Sequence, residues 1–335
     1  VLTRERLDDI LRRLPSLRLV VVGDFFLDRY LVTDPDLSET SLETGLEARQ
    51  VVEVRSSPGA AGTVTNNLAA LGVGRLHAVG LIGEDGEGYE LRRGLAATGV
   101  ETSGLLARPD RFTPTYMKPM VREGASEREL ERLDIKNRRP MDREAEEAVI
   151  ASLNALAPEA DGMVLADQVQ ERNCGVLTDR MREHIRELAA RHPALPIVAD
   201  SRMRIGEYRG VMLKPNSHEA FAACGRSGAP EREMLRTCGT ELAERTGRPV
   251  FITLGPDGML VCMEGTCRYV PGIAVEGPID IVGAGDSAMA GIVSALAAGA
   301  AAEEAAALGN LCASVTVTKL GTTGTASPEE LRARL

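Results

Sequence analysis

Short, nearly unbroken apolar runs recur along this chain, separated by longer stretches whose apolar residues return every three or four positions. The runs cover residues 17–22, 76–81, 161–166, 197–200, 211–213 and 250–254. Strands buried on both faces read this way, which predicts a mostly parallel central sheet. Helices are predicted over 2–14, 63–71, 88–98, 143–156, 177–191 and 230–246. The first carries Leu7, Ile10, Leu11 and Leu14 on one face. Strands alternating with helices predict an α/β fold with both sheet faces covered. Such sheets bind ligands beyond the carboxyl ends of their strands, where Asp24, Asp167, Asp200 and Gly255 fall.

Segments 47–55 and 115–122 break this rhythm with alternating polar and apolar residues, and 130–135 is a third candidate. They read either as a small sheet projecting as a lid or as ordinary edge strands. A hairpin over 259–263 and 267–270 is predicted around Glu264-Gly265. The length of 335 residues suggests about two domains. No repeat, linker or boundary divides the chain, however, so a single domain over 1–335 is expected.

Composition narrows the partners. Hydrophobic residues make up 44% and charged residues 26%, as in an ordinary globular protein. A net charge of −10 disfavours a nucleic-acid surface, which needs clustered Lys and Arg. No apolar stretch reaches the roughly 20 residues of a membrane span, and no signal-peptide core is visible, so a cytoplasmic protein without a membrane partner is expected. The six cysteines show neither zinc spacing nor a disulfide framework and are expected to be reduced.

The most informative stretch is Asp280-Ile-Val-Gly-Ala-Gly-Asp286, which opens onto a long apolar helix. The first N–H groups of a helix lack internal partners and attract anions. Gly283, Ala284 and Gly285 leave room for a phosphate to approach the main chain. A carboxylate at Asp286 could then take the proton of a hydroxyl attacking phosphorus. The simpler reading makes Asp286 only an N-cap.

Further motifs accumulate: Val-Val-Gly-Asp-Phe-Phe-Leu-Asp-Arg-Tyr (21–30), Pro-Gly-Ala-Ala-Gly-Thr-Val-Thr-Asn-Asn-Leu-Ala-Ala-Leu-Gly (58–72), Val-Gly-Leu-Ile-Gly-Glu-Asp (79–85), the segment 208–219 ending Lys-Pro-Asn-Ser-His-Glu, Thr-Leu-Gly-Pro-Asp-Gly (253–258) and Thr-Lys-Leu-Gly-Thr (318–322). In this order, they resemble the ribokinase-like (PfkB) carbohydrate kinases over nearly the whole chain. Within that family the chain is most similar to the kinase half of bacterial heptose-phosphate kinase/ADP-heptose synthases.

The resemblance implies a three-layer α/β sandwich with a β-sheet lid over about 31–55 and 112–135, and ATP-dependent phosphorylation of a sugar or sugar-phosphate hydroxyl. It implies Asp286 as general base and Gly283, Ala284 and Gly285 as anion hole. Asp28 would bind sugar hydroxyls, Gly59 would lie close to the sugar, and Lys118 matches a lid lysine of the heptose-phosphate relatives. Asn67 also matches, with core packing or capping favoured for it. On the nucleotide side it implies Asn216 and Glu219 (Mg²⁺ through water), Thr253, Gly255 and Gly258 along the phosphates, and Asn310 near adenine. Asp280 matches a monovalent-cation position, making K⁺ a candidate. A homodimer through the lid is a further expectation.

Three departures stand out. The family's second glycine is Ala60, its sugar-contacting asparagine is Thr63, and the threonine before the anion hole is Val282. The first two change the pocket more than the chemistry. Arg122, Arg202 and Arg204 are further candidates for holding a substrate phosphate. A nucleoside or another phosphosugar as substrate, or a non-catalytic sugar and nucleotide sensor on the same frame, are the alternatives. No nucleotidyltransferase segment follows Leu335 here, so the second activity of bifunctional relatives is not expected.

Overall fold

Alternation along the first strand, β1 (Arg18–Gly23), decides the layering. Leu19 and Val21 face one side and Val20 and Val22 the other, all fully buried. Each pair joins a separate apolar cluster, so one sheet is sandwiched between two helical layers. The computed structural model describes residues 2–124, 126–321 and 323–335. Thr322 of the 318–322 motif and residue 125 of the expected lid lie outside them.

Before β1 comes α1 (Arg4–Arg13). After it follow β2 (Phe25–Thr40), β3 (Glu47–Ala60), α2 (Ala61–Ala70), β4 (Arg75–Gly83), α3 (Gly86–Ala97) and β5 (Glu101–Arg108). The middle of the chain forms β6 (Thr115–Glu123), β7 (Ser126–Glu129), β8 (Leu133–Ile135), α4 (Arg143–Leu156), β9 (Gly162–Asp167), α5 (Asp179–Arg191) and β10 (Ile197–Ser201). The remainder is β11 (Met212–Leu213), α6 (Ser217–Ala223), α7 (Arg232–Thr246), β12 (Val250–Thr253), β13 (Gly258–Met263), β14 (Thr266–Pro271), α8 (Ala284–Ala297), α9 (Ala302–Thr316) and α10 (Pro328–Arg334).

Among the described residues the central sheet has the order β14-β13-β12-β11-β10-β9-β1-β4-β5. It is parallel from β12 to β5, with β13 and β14 added antiparallel at one edge. Helices α1, α2, α8 and α9 pack their apolar faces on one side, and α4, α5 and α7 on the other. A second sheet, β3-β2-β6-β7 with β8 beside β6, stands at the carboxyl end of β1. Of the expected strand at 130–135 only β8 forms, β7 lies just ahead of it, and β5 and α6 were not foreseen. No helix among the described residues is long and apolar enough to cross a membrane.

The cysteines depart from expectation. Cys262 and Cys267 are register partners across β13 and β14 and form a disulfide. The tight turn at Glu264 and Gly265, both at positive φ, brings the two thiols face to face. Cys174, Cys224, Cys238 and Cys312 are free.

Candidate active site

Gly283, not Asp286, is the N-cap of α8, and its left-handed φ of 80° suits glycine. Asp286 lies in the first turn and makes no capping bond, which removes the simple N-cap reading. Ser287 N–H is the first to donate back, to Gly283 O at 2.9 Å. The Gly285 and Asp286 amides ahead of it are the orphan donors of the helix. The Ala284 N–H is already engaged by Ile281 O at 3.2 Å, so it contributes less to an anion hole than expected.

Burial, then the charge of Asp200, pushes the Asp286 carboxyl up to about 7. Lys214 and Arg202 pull it down and Asp28 pushes it up, so these groups share one electrostatic neighbourhood. Thr63, buried on α2, packs against this turn: its Cγ2 lies 3.7 Å from where a Cβ on Gly283 would stand.

Asp28 reaches the neighbourhood from the second sheet. Parallel pairing sets Asp28 beside Tyr116 and Tyr30 beside Lys118, so these side chains share one face. The Lys118 ammonium lies 3.6 Å from Asp28 Oδ1 and 3.2 Å from the Tyr30 hydroxyl. Burial raises the Asp28 carboxyl against the pull of Lys118. Gly59 leaves room for this carboxylate, since a Cβ on it would stand 2.5 Å from Asp28 Oδ2 and push it aside. Ala60, the next residue, is held at φ 54°, ψ −117°, a region suited to glycine.

The residues expected on the nucleotide side gather around one cleft and its edge. Thr253, Gly255, Gly258 and Asn310 line a cleft of about 350 Å³ together with Ala284 and Gly285. Asn310 is anchored through Nδ2 to Val270 O and Pro271 O. Asn216 and Thr253 meet as an isolated bridge. Asn216 and Glu219 form a reciprocal capping box for α6: each side chain accepts the other's backbone N–H at 2.8 Å. One Glu219 oxygen is left over, and burial followed by the Asp200 charge raises the carboxyl to about 6. The Asp280 carboxylate accepts from Val282 N at 3.0 Å and Gly321 N at 3.3 Å, tying two loops together.

The arginine candidates separate. Arg204 is buried in an ion pair with Asp167 and bonds to backbone carbonyls, a structural role. Arg122 pairs with Glu53 at 3.7 Å. Arg202 is exposed beside the site, with no ion pair found among the described residues. Asn67 is buried, its amide donating to Thr63 O. Sequence reasoning missed Lys214, whose ammonium is buried 2.9 Å from Asp200 Oδ2. Its only signal was its position two residues before Asn216.

A sequence profile of pfkB family carbohydrate kinases matches residues 17–330. The bifunctional HldE protein of Geotalea uraniireducens is 32% identical over 335 residues, 99% of this chain and 66% of that protein. The HldE protein of Desulfatibacillum aliphaticivorans is 31% identical over 96% of this chain and 63% of its own length. The chain thus spans less than two thirds of these relatives. Phosphofructokinase-2 from Escherichia coli, solved in complex with potassium, superposes with a TM-score of 0.74 at 18% identity, covering 95% of this chain and 98% of that one. Ribokinase from Arabidopsis thaliana, solved with ribose and ATP, gives 0.69 at 17% identity over 94% and 97%. At such identities the likeness is one of fold.

Proposed function

The chain belongs to the pfkB family of carbohydrate kinases, and from that premise we propose that it moves the terminal phosphoryl group of ATP onto a hydroxyl of a sugar or sugar phosphate. One observation carries the reading: Asp286, at the mouth of α8, has its proton affinity lifted to about 7 and feels Asp28 and Lys214 at once. A base for an alcohol works best when its pKa is close to the working pH. Asp28 and Lys118 hold the acceptor, the Gly285 and Asp286 amides receive phosphate oxygens, and the cleft beside Asn310 takes the nucleoside.

No group of three or more His, Cys, Asp or Glu among the described residues is arranged to hold a metal. Mg²⁺ would be carried by the phosphates through water, with Glu219 nearby, where it would neutralise triphosphate charge. K⁺ would sit by Asp280, whose two oxygens already organise that loop.

Heptose phosphates are the first acceptors to test, because the matched relatives are HldE proteins and Lys118 offers a cation beside Asp28. The second sheet would act as lid and as dimer contact, since its edge strand β3 exposes Val51, Val52 and Val54. The test is ADP release from Mg·ATP with a panel of sugars, sugar phosphates and nucleosides. Turnover with a sugar or its phosphate supports the proposal. Nucleoside-only turnover, or none with any acceptor, refutes it in favour of a nucleoside kinase or a sensor.

A further inference from the structure

Lys214 follows β11 and lies under the mouth of the site. Its backbone N–H donates to Ala199 O at 2.8 Å, which aligns the residue beside the end of β10. The side chain is buried, and its ammonium stands 2.9 Å from Asp200 Oδ2. A Cβ placed on Gly285 would lie 3.8 Å from that nitrogen. The ammonium is therefore lodged against the helix turn whose free amides form the anion hole. An ammonium has three donors, and Asp200 is its only side-chain partner found among the described residues.

A buried ion pair is a poor source of stability, because desolvation offsets most of its attraction. Burial pulls the proton affinity of Lys214 down, but the carboxylates of Asp200, Glu219 and Asp286, Asp200 foremost, together leave it raised. The result is a fixed positive charge among carboxylates at the place where a triphosphate would end. Such preorganised charge is what phosphoryl transfer uses, because the three peripheral oxygens of the moving group carry the negative charge throughout.

We propose that Lys214 is a catalytic residue whose ammonium contacts the phosphoryl group in transit, alongside the Gly285 and Asp286 amides. The assignment rests on the kinase reading above. In the step, the acceptor oxygen bonds to the γ-phosphorus while the bond from phosphorus to the oxygen bridging to ADP breaks. The electron pair of that bond stays on ADP, and the acceptor proton passes to Asp286. Lys214 gives up no proton. It holds the phosphoryl oxygens in line, and Asp200 holds Lys214.

The experiment compares Mg·ADP with the non-hydrolysable imido analogue of Mg·ATP by calorimetry, in wild type, Lys214→Met and Lys214→Arg. Lys214→Met is expected to weaken the triphosphate analogue at least tenfold and ADP less than twofold, with Lys214→Arg in between. The acid limb of the kcat/KM profile should also move to higher pH in Lys214→Met, because the ammonium favours the ionised Asp286. Should Lys214→Met fail to fold around the unpaired Asp200, Asp200→Asn/Lys214→Met removes both charges together and must show the same loss. Wild type that binds neither nucleotide overturns the kinase reading and this assignment with it. Wild-type binding with equal losses for both nucleotides, or with none, overturns the assignment alone.

Discussion

Lys118 and Asp28 face each other across β6 and β2 at 3.6 Å, and the same ammonium donates to the Tyr30 hydroxyl at 3.2 Å. The proposed acceptor of sugar hydroxyls is thus not a bare carboxylate. An anionic substrate would meet an ammonium whose proton affinity its neighbours hold high: burial alone would lower it, but Asp28, Tyr30 and Glu129 together outweigh that. Lys118→Met is expected to raise KM for a sugar phosphate by about tenfold, the worth of one charge-assisted bond, and kcat far less. Steady-state kinetics with a phosphorylated and an unphosphorylated acceptor check this. An equal effect on both would assign Lys118 to Asp28 alone.

As the proposed base, Asp286 must be ionised to accept a proton, and burial pushes its carboxyl up to about 7. Activity should therefore rise with pH through that region and then level. Asp286→Asn should lower kcat by at least about a hundredfold while nucleotide affinity stays near wild type. Stability runs the other way. A carboxyl whose pKa is raised by folding, here from 3.8, stabilises the native state fully below its unfolded value and loses that contribution as pH rises through about 7. Thermal melts at pH 8 should accordingly find Asp286→Asn at least as stable as wild type. A clear loss of stability there would mean that Asp286 serves packing rather than chemistry.

Ala60 carries a methyl group where the backbone favours glycine, at φ 54° and ψ −117°. Strain of this kind costs about 1 kcal/mol or more, and it lies between the Asp28 strand pair and α2. Ala60→Gly is expected to stabilise the protein by about that amount in urea unfolding and to widen the set of sugars accepted. A destabilised variant would show that the methyl packs usefully.

The central sheet was legible because strands buried on both faces leave continuous apolar runs, and β1, β9 and β12 are of that kind. Strand β5 was not, since Glu101–Arg108 lies at the sheet edge, opens with three polar residues and buries only Leu105. Helix α6 is seven residues long, and its start, Asn216 to Glu219, reads equally well as a cap and as a ligand motif. Lys214 left no periodic trace at all, because its burial and charge depend on Asp200 and α8, which only the fold brings near. Likewise, Arg204 looks like any surface arginine until Asp167 is placed beneath it.

The Cys262–Cys267 bridge closes a short loop, with a separation of five residues, across register partners. Loop-closure entropy for so short a segment gives about 2 kcal/mol. Denaturation with and without a thiol reductant should differ by no more than this. The same hairpin anchors Asn310 through Val270 and Pro271, so reduction should also weaken nucleotide binding slightly. Unchanged stability with reductant would mean that the two thiols are unlinked in solution.

Edge strands with exposed apolar side chains invite pairing with another copy unless something blunts them. On β3, Val51, Val52 and Val54 are 47%, 41% and 51% exposed, and Leu46 just before the strand is 70% exposed. Their charged neighbours Arg55 and Glu53 are already occupied by Glu127 and Arg122 within the same sheet, so those charges protect the edge poorly. Sedimentation at micromolar concentration is expected to give a dimer for wild type and a monomer for Val52→Lys/Val54→Lys, whose like charges would face each other across the contact. If closing the lid depends on that contact, the variant should also lose affinity for the acceptor while nucleotide affinity holds. A wild-type monomer would leave β3 as an ordinary exposed edge.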